Sequence, residues 1–420
     1  MSVNKFVELL NMELREGLGS TEPASIGLAC ARASEMIDGE VEKVDLILNI
    51  GLFKNAHNVV IPNTNRYGIK LAASLGAVLK NPEKELIIFE DIDKNVIKKA
   101  ENLIIKDKIN VDVKYINNLY IKAKVYGKDE WTEVLIIDDY TNVVKVMKNG
   151  EVIFDKKEEK EETIIDITKV TVSEIIEAMD EIPIEKIKFI EKGIDMNMSL
   201  AKKAIDRKLG MGVSYGFNTL IKKGIIKNDL INQVCLYTTA ASDARMTGLG
   251  KSAMTLMGSG NKGVQAIVPV VITGEKKKVG NEKIIRGVAI SCLITIYIRQ
   301  WVGLLSPLCG VVMAAIGASA GITYILGGNV EEIEGAIINM CEGVTGMVCD
   351  EVTEGCSLKV RTSTENAIIS AYLSMEGVVV GTKNEIVPEK VEDIIENLTL
   401  LSLLGLTKVD ERTLKAIREQ

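Results

Sequence analysis

The chain has 420 residues, of which 47% are hydrophobic and 26% are charged, a composition typical of a soluble globular protein with two or three domains. The formal net charge is −7, and the sequence contains no basic tail or basic-aromatic run, so we expect no nucleic-acid partner. Charged residues interrupt every early apolar run, so we expect no signal peptide and a cytoplasmic protein. Seven cysteines are too few for a disulfide scaffold, and the single histidine, His57, excludes a multi-histidine metal site and is expected to be structural or on the surface.

Patterning over the first 165 residues predicts an α+β module. The predicted helices lie within 1–36 (two, joined by the glycines of 17–19), 69–80 and 93–105, and the predicted strands are 44–50, 86–90, 111–116, 120–125, 133–137 and 142–148. Hairpin turn residues such as 149–150 (Asn-Gly) lie between or after the later strands. The sheet is therefore expected to be mostly antiparallel.

The chain changes character after the charge run 155–162, which is interpreted as a solvated linker or turn. A capping-box pattern at 171–174 (Thr-Val-Ser-Glu) begins a region that is predicted to be mostly helical to about residue 379. The fold class is therefore α+β, with a mainly helical domain at 166–420 and a smaller α/β module at 38–165, which has mostly antiparallel strands. The helices of 1–37 are predicted to pack on the helical domain.

Residues 300–330 contain no Asp, Glu, Lys or Arg, a length that suffices to cross a bilayer. This stretch is rich in Gly, Ala and Ser, and no other charge-free segment of that length occurs. We interpret it as two buried helices of a soluble core, with a membrane-spanning protein as the alternative. Small residues allow backbones to approach closely, which suits an enclosed site.

Ser20 stands directly before a helix that is predicted to begin near Pro23. Proline suits the first turn because it lacks the N–H that would have no partner there, and Ser or Thr just upstream caps the remaining N–H groups. Two interpretations remain open from these residues: Ser20 is a helix cap, or it stands where a reactive group belongs.

Three cysteines, Cys309, Cys349 and Cys356, are candidate ligands of a metal cluster. They form no C-x-x-C pair, so a zinc ribbon is not indicated. Three thiolates would hold a four-iron cluster and leave one iron open to substrate. The alternative is that all three are small buried apolar side chains, as free cysteines often are.

Two loops are candidate ligand sites. The stretch 257–263 (Met-Gly-Ser-Gly-Asn-Lys-Gly) could cradle a carboxylate or phosphate with its backbone N–H groups, and Lys262 adds charge. It lacks the pattern of a Walker A loop, and a turn without a ligand is the alternative. The segment 53–65 follows the first strand of the predicted module and is the weaker candidate.

Taken together, these stretches resemble the L-cysteine desulfidases, which are related to the catalytic domain of iron–sulfur L-serine dehydratases. The similar segments are 19–23 (Gly-Ser-Thr-Glu-Pro, where the family has Gly-Cys-Thr-Glu-Pro), 54–55 (Lys-Asn), 61–62 (Ile-Pro), 258–261 (Gly-Ser-Gly-Asn), 295–298 (Thr-Ile-Tyr-Ile), 308–310 (Leu-Cys-Gly), 349–350 (Cys-Asp) and 355–359 (Gly-Cys-Ser-Leu-Lys). They cover nearly the whole chain in the family's order, and the set is more specific than any single motif.

The resemblance implies conversion of L-cysteine and water to pyruvate, ammonia and sulfide without pyridoxal phosphate. It also implies a [4Fe-4S] cluster held by Cys309, Cys349 and Cys356. Three groups of substrate contacts are assigned as hypotheses: the carboxylate to Ser259, Gly260, Asn261 and Lys262, the same task less strongly to Lys54 and Asn55, and the ammonium group to Glu22.

Ser20 departs from the family pattern, because the base in that pattern is the cysteine at this position. A serine hydroxyl is a far weaker base than a thiolate at a helix N-terminus. Ser20 is therefore interpreted as a Cys-to-Ser replacement that inactivates the enzyme and traps substrate. A natural variant that uses another base, such as Lys262, is the alternative.

Competing functions remain open. They are an iron–sulfur L-serine dehydratase, a lyase that uses pyridoxal phosphate held at 258–263, and a non-catalytic protein that binds cysteine or an iron–sulfur cluster. The partner is expected to be a small molecule, with no membrane, and a homo-oligomer is left open.

Overall fold

A computed structural model of the chain describes residues 1–116, 118–156, 165–303, 305–350, 352–381, 390–406 and 408–419. The α-helices are α1 Val3–Glu13, α2 Thr21–Ser34, α3 Ile50–Ala56, α4 Ile69–Leu79, α5 Lys94–Ile105, α6 Val172–Glu181, α7 Ile190–Ala204, α8 Val213–Lys222, α9 Leu230–Met246, α10 Gly260–Lys277, α11 Asn281–Val302, α12 Gly310–Leu326, α13 Val330–Val344, α14 Cys356–Met375, α15 Val391–Leu400 and α16 Val409–Arg418. The strands are β1 Leu14–Gly17, β2 Lys43–Asn49, β3 Val60–Ile61, β4 Arg66–Tyr67, β5 Ile109–Lys114, β6 Tyr120–Tyr126, β7 Trp131–Ile137, β8 Val143–Lys148, β9 Glu151–Asp155 and β10 Ala253–Leu256. The predicted α+β class is confirmed.

A six-stranded sheet in the order β5-β2-β6-β7-β8-β9 forms the centre of the sheet module. The pair β2–β5 is parallel, and every other neighbouring pair in this sheet is antiparallel, as predicted. Burial alternates along β2, β6 and β7, so one face of the sheet carries the apolar side chains. Helices α2 and α4 lie in the same hydrophobic core, and a Cβ on Gly76 would lie 2.1 Å from the carbonyl oxygen of Gly27.

The helical part surrounds α12, which packs against α10, α11, α13 and α14. Glycines allow this close packing: a Cβ on Gly317 would lie 2.2 Å from the carbonyl oxygen of Ser291. The charge-free stretch 300–330 contains α12 and the end of α11 rather than two full helices. Helix α11 is long and apolar enough to span a membrane, but 83% of its apolar window is buried within the protein.

Most predicted boundaries in the first half agree with the structure, but 86–90 differs, and β1, α3, β3, β4 and β9 were not predicted. Residues 86–90 were predicted as a strand, but a 3₁₀ helix spans Pro82–Ile87, because an apolar run this short carries no distinguishing periodicity. Strand β1 was not predicted; it pairs with β10, more than 200 residues away, so its partner is not visible locally. The capping box is confirmed: Thr171 Oγ1 accepts from Glu174 N, and the Glu174 carboxylate accepts from Thr171 N.

The two N-terminal helices, α1 and α2, belong to different hydrophobic cores. The apolar side chains of α1 lie in the helical core, whereas α2 lies in the core of the sheet module, where its small residues fit against α4 and the sheet. The domain assignment of 1–37, like the division at 38–165 and 166–420, remains a prediction.

Candidate functional site

A cavity of about 80 Å³ lies where the sheet module meets the helical part. The cysteines in its wall are Cys309, Cys349 and Cys356, and its polar side chains are Glu22, Asn55, Tyr140, Arg245, Ser259, Asn261, Lys262 and Ser306. The structure therefore brings together residues from positions 22 to 356 that the sequence predicted as separate motifs.

The three thiols are positioned by short backbone contacts and helix starts. Cys309 precedes α12, and its N–H donates to Met347 O at 3.0 Å. Cys349 N donates to Pro307 O at 2.7 Å, so the two cysteine segments lie side by side. Cys356 is the first residue of α14. The thiol of Cys349 faces the Asn55 side chain, with Sγ 3.9 Å from Oδ1.

The electrostatics of these thiols favour the neutral form in the absence of a cation. Burial raises the pKa of Cys309 to about 12 and that of Cys356 to about 11, and it also raises the pKa of Cys349. The charges of the neighbouring cysteines add to the pKa shift at Cys309 and Cys356, as expected for thiols in the wall of one cavity. Bound metal supplies the positive charge that such thiolates need.

Within the described ranges, no group of three or more His, Cys, Asp or Glu side chains is placed to hold a metal ion. A four-iron cluster differs from a single ion, because each thiolate binds a different iron and the sulfurs stand apart around the cluster. Three thiols spread around the wall of one cavity fit that second kind of site.

Glu22 also lies in the cavity wall, in the first turn of α2, where the helix dipole favours a carboxylate. Its Oε1 accepts from Asn55 Nδ2 at 3.2 Å and from the Tyr140 hydroxyl at 3.4 Å. Burial, and then the Glu22 charge, raise the pKa of Tyr140 well above its usual value, so the phenol stays protonated. The carboxylate is thus oriented by two donors.

The predicted glycine-rich loop is the N-terminus of α10. Met257 and Gly258 have φ values of +48° and +68°, and Ser259 is the N-cap. Asn261 Oδ1 accepts from Ser242 Oγ at 3.3 Å. Burial, followed by the charge of Arg299, lowers the pKa of Lys262 to about 7.

Several predicted residues lie outside the cavity wall. Lys54 is buried, and its Nζ donates to Cys349 O and to Asp410 Oδ1, each at 2.7 Å. Lys54 therefore supports a cysteine segment, and its prediction as a substrate contact is not supported by its position. Gly260 makes room for the Arg245 side chain, and His57 stacks on Phe53 with ring centroids 5.5 Å apart.

Ser20 is also outside the wall, although it is only 3% exposed. It is the N-cap residue of α2 but makes no side-chain capping hydrogen bond, and its Oγ has no hydrogen-bond partner in the part of the chain that the structure describes. Ser20 thus has the backbone position of a helix N-cap, but its side chain does not act as one.

Sequence reasoning missed Arg245, Tyr140 and Ser306. Arg245 is the second-to-last residue of α9, whose residues 238–246 are otherwise mainly small, and a charged side chain in such a helix could have signalled a buried role. Tyr140 and Ser306 carried no such signal, since each lies in a connection whose place depends on the fold.

Comparison with known proteins was consistent with this arrangement. A sequence model described as the serine dehydratase alpha chain matches residues 83–415. The chain belongs to the serine dehydratase alpha-chain family. Its relatives include UPF0597 proteins from Clostridium botulinum (strain Okra), 36% identical over 414 residues, from Clostridium tetani, 35% over 420, and from Clostridioides difficile (strain 630), 35% over 426. These alignments cover 97%, 99% and 98% of this chain and 95%, 98% and 99% of the relatives.

Membership of the serine dehydratase alpha-chain family indicates a lyase-type enzyme, for which an iron–sulfur cofactor is typical. The matched range includes all three cysteines of the cavity, Arg245 and the start of α10. Glu22 and Asn55 precede it, but the alignments with the UPF0597 relatives extend over nearly the whole chain.

Proposed function

We propose that the protein is an iron–sulfur L-cysteine desulfidase that converts L-cysteine and water to pyruvate, ammonia and sulfide. The observation that carries this proposal is the meeting of three thiols with Glu22, Asn261 and Lys262 in one small cavity. A thiol-bearing amino acid offers groups that match each side of that cavity.

Cys309, Cys349 and Cys356 are proposed to hold a [4Fe-4S] cluster. Three protein ligands leave one iron with an open position, so the bound cluster would supply a Lewis acid for the leaving sulfur. The fit rests on the presence of all three thiols in one cavity wall and on the positive charge that buried thiolates need.

The remaining chemistry is assigned to side chains in the wall. Glu22, oriented by Asn55 and Tyr140, is proposed to bind the substrate ammonium group. Lys262 is proposed to remove the Cα proton, because its Nζ belongs to a side chain of the wall whereas Ser20 lies outside it. Burial of the whole site keeps bulk water from the carbanion-like transition state.

An iron–sulfur L-serine dehydratase is the second candidate, and the description of the matching family favours it. The same residues would serve, with a hydroxyl in place of the thiol as leaving group. The two functions differ in the ratio of kcat/KM for L-cysteine and L-serine.

The test is anaerobic reconstitution with iron and sulfide, followed by assays of sulfide and pyruvate from each amino acid. The variants are Lys262→Met, Ser20→Cys and, as a matched control, Lys276→Met, an exposed lysine near the other end of α10. We expect sulfide release by the unaltered chain, loss of at least about 100-fold in kcat for Lys262→Met, a typical effect of removing a general base, and no loss for the control.

Other outcomes would decide against parts of this proposal. Activity in Ser20→Cys alone would assign the proton transfer to residue 20 and make the Lys262 assignment wrong. Turnover of L-serine alone would establish the second candidate. A bound cluster without turnover of either amino acid would indicate a non-catalytic binding protein.

A further inference from the structure

Arg245 is a buried cation whose hydrogen-bonding capacity is largely unused. The residue is 4% exposed and belongs to the cavity wall. Its Nε has no partner among the described residues, and its Nη1 donates to the sulfur of Met246 at 3.1 Å, a weak acceptor. Because a buried guanidinium with unmet donors is unfavourable, an acceptor from a ligand would stabilise it.

The guanidinium lies against the N-terminus of α10. A Cβ on Gly260 would lie 1.9 Å from Arg245 Nε, so only glycine at the first residue of the helix admits this side chain. Ser259, the N-cap, makes no side-chain capping hydrogen bond within the described part of the chain. The first N–H groups of α10 and the guanidinium therefore place two positive potentials side by side, as in a site that receives an anion.

No described carboxylate lies within ion-pair distance of Arg245. The acidic side chain in the cavity wall, Glu22, is engaged by Asn55 and Tyr140 instead. Lys262 adds a second basic group near the start of α10. The cavity wall thus holds a guanidinium without an ion-pair partner among the described residues and a separately hydrogen-bonded carboxylate, two charges complementary to the zwitterion of an α-amino acid.

We propose that Arg245 binds the α-carboxylate of the substrate, together with the N-terminus of α10. The planar guanidinium suits two parallel bonds to a carboxylate, which would fix the Cα–H direction as well as hold the ligand. This inference rests on the proposed function only in taking the ligand to be an α-amino acid. On this inference, the protein selects substrates that carry a free α-carboxylate.

The experiment compares three ligands on the reconstituted protein: L-cysteine, cysteamine, which lacks the carboxylate, and 3-mercaptopropionate, which lacks the ammonium group. Each is measured by equilibrium calorimetry, and L-cysteine also by KM and kcat. The variants are Arg245→Gln and Arg245→Lys. The matched control is Arg299→Gln, since Arg299 Nε is also buried without a partner in the described ranges but Arg299 is outside the wall. Iron content and the cluster absorption verify that each variant is folded and loaded.

In Arg245→Gln we expect binding of L-cysteine and 3-mercaptopropionate to weaken roughly 100-fold, as for loss of one partner of a buried charged pair. Cysteamine should change by less than about 3-fold, and Arg245→Lys should recover part of the loss because it keeps the charge but not the fork. In Arg299→Gln the three ligands should shift together, if at all.

Equal weakening of all three ligands in Arg245→Gln would show that Arg245 only maintains the cavity and would overturn the inference. Unchanged binding of L-cysteine would overturn it as well. If L-cysteine binds to the unaltered chain without turnover and Arg245→Gln loses that binding, the carboxylate site stands and the proposed function fails. If Arg245→Gln turns over L-cysteine with an unchanged KM, the proposed function stands and the carboxylate site fails. Binding of none of the three ligands would refute both.

Discussion

The thiol wall of the cavity (Cys309, Cys349 and Cys356) and its polar wall (Glu22, Asn55, Arg245, Asn261 and Lys262) are assembled differently. The thiol wall comes from two loop segments and one helix start, all within the helical part. The polar wall draws on α2 and α3 of the sheet module and on α9 and α10 of the helical part. The proposed metal ligands are thus confined to one part, whereas the proposed ligand contacts come from both.

The other cysteines sharpen the contrast. Cys30, Cys235, Cys292 and Cys341 lie inside helices and are 0% exposed. Burial raises the pKa of each. They act as small apolar side chains, so location at a helix start or loop, rather than burial, separates the two groups.

The largest expected effect is on the thiol wall. Cys309→Ser, Cys349→Ser and Cys356→Ser should each abolish stable cluster incorporation, because a serine hydroxyl replaces a thiolate ligand. Cys292→Ser is the control, which should retain the cluster while losing about 1–3 kcal/mol of stability through a buried hydroxyl. Iron and acid-labile sulfide per chain are the measurements, and a loaded Cys356→Ser protein would contradict the assignment.

The next effect concerns the contact between the two parts of the chain. Lys54 in α3 pairs with Asp410 in α16, and their side chains are 2% and 17% exposed. Asp410→Ala should cost about 3 kcal/mol in the free energy of unfolding, since it leaves a buried ammonium group with a carbonyl as its remaining partner. Urea unfolding measures this loss.

The double variant Lys54→Met/Asp410→Ala tests the same pair. It should be more stable than Asp410→Ala alone, because no uncompensated charge is then buried. If Asp410→Ala lowers the free energy of unfolding by less than about 1 kcal/mol, the pair contributes no more than an ordinary surface ion pair, and the prediction is wrong.

A smaller effect is expected at the start of α2. Ser20→Ala should leave stability unchanged or slightly raised, because the buried hydroxyl makes no capping bond. Thr171→Ala, at a true capping box, should lose about 1 kcal/mol under the same conditions. Equal losses in the two variants, measured by urea unfolding, would show that Ser20 is a helix cap after all.

The smallest effect is a pH dependence at the end of α1. Burial is the main cause that raises the pKa of Glu13 above 4.5, its ordinary value. The folded protein then binds more protons than the unfolded chain just above pH 4.5, so Glu13 lowers stability as the pH rises through that window. Glu13→Gln should therefore gain about 1 kcal/mol or less at pH 7, a gain that vanishes at low pH.

Urea midpoints at several pH values measure this gain. Glu8→Gln, an exposed position on the same helix, is the control and should show no such trend. A gain for Glu13→Gln that persists below pH 4.5 would indicate a packing effect instead of a protonation effect.

Local signals in the sequence predicted much of the sheet module and little of its connections. The alternation of 44–50 corresponds to β2, and the helix predicted at 93–105 corresponds to α5, whose N-cap Asp93 accepts a hydrogen bond from Val96 N. The run 86–90 was assigned to the wrong element because its burial comes from contact with α2, including Phe89 against Gly27. Short apolar runs are determined by their neighbours more than by their own pattern.

The sequence by itself determined the α+β class, the helical character of the second half and the identity of the three candidate ligand cysteines. Local periodicity carries the first two properties, since helix and strand periods differ. The three cysteines were distinguished by their flanking residues, through the family resemblance, because their spacing alone did not separate ligands from buried apolar thiols. Only the tertiary structure decided that Arg245 enters the wall, that Lys54 supports Cys349 and that Ser20 stays outside. Those outcomes depend on close approaches between segments that are distant in sequence. Gly260 and Arg245 are an example, because the glycine has no Cβ and so leaves room for the guanidinium.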